Sequence, residues 1–150
     1  MITFKPSDVI GRPRITQLIN KSNQFNLTTK RYDENQVKSM ESDTGLYTLQ
    51  GRLKDIFGDN GMISVIICKI SETNWEIETW LRRCIVLGRS VEMSVLDKII
   101  KSAKNSGGKY FIGTYIPTER NIIVKDHYRH LRFKKTNIDG QNETLQLSIS

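Results

Sequence analysis

The residues best placed to do chemistry cluster near one turn, CIVLGRS, Cys84 to Ser90. Cys84 follows Arg82-Arg83 and precedes Gly88 by four positions. The thiolate is the reactive form of cysteine, and nearby cations or a helix N-terminus favour it. Cys84 is therefore a candidate nucleophile that would accept an acyl group and pass it on. Core packing is the competing account. Gly88-Arg89-Ser90 joins a strand to a helix through small residues. The first backbone N–H groups of a helix are unpaired and carry partial positive charge, so such a joint makes an anion site. Gly88 allows close approach, Arg89 adds a cation and Ser90 is small; a plain strand-to-helix joint is the alternative. Glu76 and Glu78 share one face of the preceding strand, either as solvated acids or as a base beside the turn. His127, next to Tyr128, is either a general base or a solvated helix-face residue, and His130 lies on the same helix. Cys68, inside VIICKI, reads as a small core hydrophobe.

The elements that must position these groups follow from periodicity. Residues 1–13 contain Pro6, Gly11 and Pro13 and read as a lead-in or linker, with a single domain over 14–150. Ile15, Leu18 and Ile19 recur at helical spacing. Residues 24–32 alternate as a strand, and Asp33 is an N-cap for a helix carrying Val37 and Met40. Three β segments follow. Gly51 interrupts the first, Asn60-Gly61 signals a hairpin turn, and MISVIICKI predicts a buried central strand. Trp75 to Leu87 is the next strand. Trp75 and Trp80 have opposite parity on it, which places one in the core and the other in a cleft unless a bulge intervenes. Ser90 to Lys104 is an amphipathic helix stopped by Gly107-Gly108. KYFIGTYIP, residues 109–117, is a further strand, ended by Pro117. Asn121 caps a last helix bearing Tyr128 and Leu131, and residues 144–149 form an edge strand. The expected class is α+β, a mostly antiparallel sheet flanked by helices.

Bulk properties narrow the partners. Hydrophobic content of 37% with 26% charged residues fits a globular chain and excludes a disordered one. No apolar run reaches the roughly 20 residues that span a bilayer, so no membrane partner is expected. The N-terminus lacks a signal-peptide stretch, and a cytoplasmic location is expected. Two cysteines make neither a disulfide framework nor a metal-ligand spacing, so no metal is expected. A net charge of +7 favours an anionic partner. The absence of a dense Lys/Arg run counts against nucleic acid.

The order of elements resembles the GNAT acyltransferase fold. Ile85-Val86-Leu87-Gly88-Arg89-Ser90 occupies the place of that family's Gln/Arg-x-x-Gly-x-Gly/Ala signature and departs from it at Ile85 and Ser90. Asn121-x-x-Val124-x-x-x-Tyr128-x-x-x-Arg132-Phe133 looks like its second signature. Four blocks in order, NQFNLTTKRY, FGDNG, WEIETWLRRCIVLGRSVE and YIPTERN, resemble the C-terminal domain of FkbH-like proteins over about residues 14–133.

These resemblances imply specific roles. Gly88, Arg89 and Ser90, with Asn121, would hold the phosphates of coenzyme A or of a carrier-bound phosphopantetheine. Tyr128 would protonate a departing thiolate, and Glu78 would serve as a strand general base. Asn23, Asn26 and Thr28 would line the acyl or pantetheine channel, against a reading as turn and cap chemistry. FkbH-like proteins load a glyceryl unit onto an acyl carrier protein for methoxymalonyl-type polyketide extenders, using a HAD-type phosphatase-like domain. No Asp-x-Asp segment near the start of this sequence fits a HAD nucleophile, so that domain is expected elsewhere. The implied function is the acyl-handling half of such a glyceryl transferase. Alternatives are a non-catalytic carrier-protein docking module and a GNAT N-acetyltransferase using acetyl-CoA.

Overall fold

The computed structural model describes residues 2–21, 32–55, 58–82, 88–118, 128, 131–140 and 142–149. Its elements in chain order are β1 (Ile2–Lys5), α1 (Arg12–Lys21), α2 (Glu34–Glu41), β2 (Leu46–Asp55), β3 (Gly58–Ser71), β4 (Asn74–Arg82), α3 (Gly88–Asn105), β5 (Tyr110–Tyr115), β6 (Lys134–Asp139) and β7 (Asn142–Ser148). The seven strands form one sheet in the order β1-β2-β3-β4-β5-β7-β6. Every neighbouring pair is antiparallel except β4 and β5, which run parallel with α3 as their crossover. The expected α+β class with a mostly antiparallel sheet is what the chain adopts.

Alternation on the central strand fixes the layers. Val65 and Ile67 face α1 and α2, packing with Ile15, Leu18, Ile19 and Val37. Ile66 and Cys68 face the opposite side, with Trp75, Ile77, Trp80 and the α3 residues Val95, Leu96, Ile99 and Ala103. Residues 65–68 are buried on both faces, as the continuous β-branched run requires. Helix α2 starts on the expected cap: Asp33 accepts from the Gln36 amide at 2.8 Å, and the Gln36 side chain accepts from the Asp33 amide at 2.8 Å. This reciprocal box satisfies two amides that would otherwise lack partners. Helix α3 ends where Gly107 takes a φ of +82°. There the Gly108 amide donates to the Ala103 carbonyl at 2.7 Å and the Gly107 amide to Lys104 at 3.2 Å, the paired bonds of a Schellman stop.

Four expectations are corrected. The segment read as a lead-in contains β1, paired with β2 from Ile2↔Leu53 to Lys5↔Gln50; four residues are too few to show alternation against Pro6. Asn60-Gly61 does not turn the β2–β3 hairpin, which closes at Asp55↔Gly58. Asn60 instead falls at a register shift between Leu53↔Gly61 and Lys54↔Asp59. A bulge uses the same backbone latitude as a turn. Residues 144–149 are not an edge: β7 lies between β5 and β6. The edge is β6, joined to β7 through Gly140 at φ +63°. Finally, both tryptophans are core, each 1% exposed in the same cluster, because a bulge on β4 resets its parity. The irregularity expected at Gly51 is present, with register shifting between Gly51↔Ser64 and Arg52↔Met62. The strand expected over 24–32 lies outside the described residues, as does all of the last helix but Tyr128.

Candidate functional site

The bulge on β4 organises the site. Against β3, Ile67 faces Thr79 and Cys68 faces Ile77, so Glu78 is the extra residue of a bulge. Two consecutive side chains then point to one face of the sheet. Thr79 lies beside Tyr32, their hydroxyls 3.5 Å apart, and Glu78 lines a cleft on that same α2 side.

The bulge coincides with a second irregularity. Strand β4 pairs with β5 only from Asn74↔Tyr110 to Ile77↔Gly113. Beyond this point β4 continues through residues 78–82, while Thr114 and Tyr115 of β5 pair with β7 alone. Two central strands thus part inside the sheet at Glu78 and Gly113. Backbone groups on the facing edges are not used in a β4–β5 ladder, and buried backbone groups require partners. The gap between them is suited to an elongated ligand carrying amides.

Beyond the gap, residue 88 begins α3, whose first turn includes Gly88, Arg89 and Ser90 and contains no acidic residue. The positive end of an 18-residue helix is therefore not offset by a carboxylate of its own first turn. Chain connectivity puts this terminus beyond the same end of β4 at which the gap opens. The side chains of Arg89 and Ser90 are outside the described set.

Tyr128 lies at the apex of the gap. A Cβ added at Gly113 would stand 2.5 Å from Tyr128 Cζ and 2.6 Å from Cε1. The carbon bearing the hydroxyl thus rests on the last β5 residue still paired with β4. The ring packs against Trp80 at 5.9 Å and Phe133 at 4.9 Å, and Tyr128 is 2% exposed. Burial, with a smaller contribution from nearby Cys68, pushes its phenol well above the usual tyrosine range and holds the proton on it. Replacing Gly113 by alanine is expected to destabilise the protein by about 1–3 kcal/mol, since the added methyl has only a packed ring to displace. Urea unfolding checks this; an unchanged midpoint would show that the ring yields freely.

Cys68 is fully buried. Burial, then the charge of Glu78, pushes its thiol far above the reactive range, which is the inert environment expected of a core cysteine. Cys84, Asn121, Asn23, Asn26, Thr28, His127 and His130 lie outside the described residues; of the candidates, Glu78, Tyr128 and the backbone of the first turn of α3 are described. Among the described residues no group of three or more His, Cys, Asp or Glu gathers to hold a metal, and no helix is long and apolar enough to cross a membrane.

The cleft at Glu78 has a volume of about 440 Å³. Met40, Ile67 and Ile70 form its apolar walls, and Asp43 and Lys69 also line it. Sequence reasoning missed this cleft because its residues come from α2, the following turn, β3 and β4. The Gly113–Tyr128 contact left a legible signal, a glycine inside a strand, which commonly marks a close approach.

No family model matches the sequence, and no curated protein matches it. Solved structures do. The ribosomal-protein-S18-alanine N-acetyltransferase of Escherichia coli superposes with a TM-score of 0.72 at 12% identity, covering 100% of this chain and 95% of that one. The GNAT domain of S. lividans PAT gives 0.71 at 13% identity, over 97% of this chain and 89% of the other. The PaiA N-acetyltransferase of Thermoplasma acidophilum, solved in complex with coenzyme A, gives 0.69 at 14% identity over 99% of both chains. At these identities the likeness shows the fold: the chain has the GNAT fold.

Proposed function

We propose that this protein is an acyltransferase that takes an acyl group from a pantetheine thioester and delivers it to an amine held in the Glu78 cleft. The observation carrying this reading is that the β4 bulge at Glu78, which lines the cleft, directly follows the last β4–β5 pair, Ile77↔Gly113, against which the Tyr128 ring rests. The gap suits pantetheine, whose amides match open strand edges. The first turn of α3 suits a pyrophosphate, offering backbone N–H groups and holding no acidic residue of its own. Coenzyme A bound to the Thermoplasma relative supports the same choice.

A thioester supplies an acyl carbon activated toward nucleophiles. Glu78 then accepts the proton that the amine loses as its nitrogen bonds to that carbon. As the carbon–sulfur bond breaks, Tyr128 donates its proton to the leaving sulfur and recovers one from solvent. The products are an amide and a thiol, and the proton count closes.

A finer reading is favoured by the FkbH-like sequence blocks and the net charge of +7. Here the acyl group is a glyceryl unit and the partner an acidic acyl carrier protein, with a HAD-type domain supplying the acyl group and Cys84 carrying it. In a third reading the chain only docks the carrier. Thermal unfolding separates these ideas, because a ligand bound only by the native state raises stability, by about 2.7 kcal/mol at a hundredfold excess over Kd. Acetyl-CoA is expected to raise the midpoint by several degrees and to release free thiol when an amine is present. If acetyl-CoA produces neither effect while a glyceryl carrier protein labels Cys84, the amine reading fails and the glyceryl reading stands. A salt-sensitive carrier complex without transfer would leave the docking module.

A further inference from the structure

We infer that Tyr32 positions the acceptor and sets its class: an amine with an oxygen on the carbon next to the one bearing the nitrogen, as in an α-amino amide or a β-amino alcohol. This rests on the amine-acyltransferase reading above and goes beyond it by naming what the cleft recognises beside the amine. Tyr32 lines the cleft together with Glu78, and its backbone is pinned on two sides. The side-chain amide of Asn20, on α1, donates to the Tyr32 carbonyl at 2.9 Å. Asp33, the next residue, is the N-cap of α2 with both bonds of its capping box made. The half-buried ring packs against the cluster that contains Val65 and Ile67 of the sheet. A side chain held from two helices and the sheet keeps its rotamer, as a positioning group must.

The hydroxyl end follows from proton accounting. Thr79 Oγ1 lies 3.5 Å from Tyr32 Oη, the outer limit of a hydrogen bond. Two hydroxyls bring two protons, and one contact between them uses only one. Neither hydroxyl makes a further hydrogen bond among the described residues. Thr79 is fully buried, so its proton goes to the phenol oxygen, because a sealed hydroxyl has no other outlet. The spare proton is then that of Tyr32, the member of the pair that lines the cleft. A phenol proton is satisfied by an oxygen of whatever occupies the cleft. The spacing comes from the bulge. Thr79, which holds the phenol, is the residue after Glu78, and consecutive Cα atoms are only about 3.8 Å apart. A carboxylate has room for several donors, so Glu78 can receive the amine beside its existing partner. A ligand meeting both residues must therefore carry its oxygen close to its nitrogen. A plain alkylamine would leave the phenol proton without a partner, which costs affinity.

Calorimetric titration of the full chain with glycinamide and with isobutylamine, without an acyl donor, tests this. The two have the same number of heavy atoms, and at about pH 6 both are ammonium ions, so the comparison reads the carbonyl oxygen alone. Glycinamide is expected to bind about tenfold tighter, the scale of one well-made hydrogen bond. Tyr32→Phe should bring glycinamide down to the level of isobutylamine and leave isobutylamine unchanged. Thr79→Val, which removes the hydroxyl that holds the phenol, should reduce the preference, and Thr79→Ser, which retains it, should not. Equal binding of the two amines by the wild type, a Tyr32→Phe variant that keeps the preference or weakens both amines alike, or no binding of either would overturn the assignment. If the expected pattern appears but acetyl-CoA is not consumed with either amine, the role of Tyr32 stands as recognition and the acyltransfer reading falls. If acetyl-CoA is consumed and binding shows no preference, the reverse holds.

Discussion

Glu78→Gln is expected to lower the rate of acyl transfer about 10²- to 10⁴-fold, the usual contribution of a positioned general base. Glutamine preserves the shape and one hydrogen-bond acceptor, so the bulge that carries the residue should persist. Stability should change by no more than about 1 kcal/mol, the scale of one altered hydrogen bond. The loss should fall on kcat rather than KM, because the amine is bound by the cleft walls and is deprotonated only during reaction. Initial rates of thiol release with acetyl-CoA and an amine measure the effect, with urea unfolding as the control for folding. A variant that folds normally and turns over at the full rate would remove Glu78 from the chemistry and with it the meaning of the bulge.

The bulge also marks how far the sequence could be read. Helix α1 shows its buried face directly in Ile15, Leu18 and Ile19, and α3 shows its own in Val95, Leu96, Ile99 and Ala103. Asp33 and Gly107-Gly108 mark one helix's start and another's end through local hydrogen bonding. These features are legible because the causes are a few residues apart. The parity of β4 is different. Trp75 and Trp80 lie on opposite faces of any regular strand, and only pairing with β3, which leaves Glu78 unmatched, turns both inward. Register is a property of two strands, so one strand's alternation cannot reveal it. For the same reason β7 reads as an edge until β6 is seen to cover it, since the polar run KKTNID carries no apolar alternation of its own. Of the site, Glu78, Tyr128 and the start of α3 could be named from residue type and family resemblance. The point where β4 leaves β5, beside the Glu78 bulge and the Gly113–Tyr128 contact, could not, because it is set by where a parallel ladder stops.

The ring and the hydroxyl of Tyr128 should separate cleanly under mutation. Tyr128→Ala removes a 2% exposed aromatic ring from between Trp80, Phe133 and Gly113. The expected cost is about 3–5 kcal/mol, the range for truncating a large buried aromatic, and enough to unfold a domain of ordinary stability. Tyr128→Phe keeps the ring and its contacts and should cost about 1 kcal/mol or less. If the phenol supplies the proton to the departing sulfur, the phenylalanine variant still loses about 10²-fold or more in rate with its fold intact. The pH dependence carries the same signature. A proton donor works only while protonated, and burial raises this phenol's pKa above that of an exposed tyrosine. The wild-type rate should therefore show no decline from phenol ionisation through about pH 10, where an exposed tyrosine would be half ionised. Stopped-time assays of thiol release across that range, beside urea titrations of both variants, decide the matter. Equal rates for wild type and Tyr128→Phe would leave the residue as packing alone, and another group would have to protonate the sulfur.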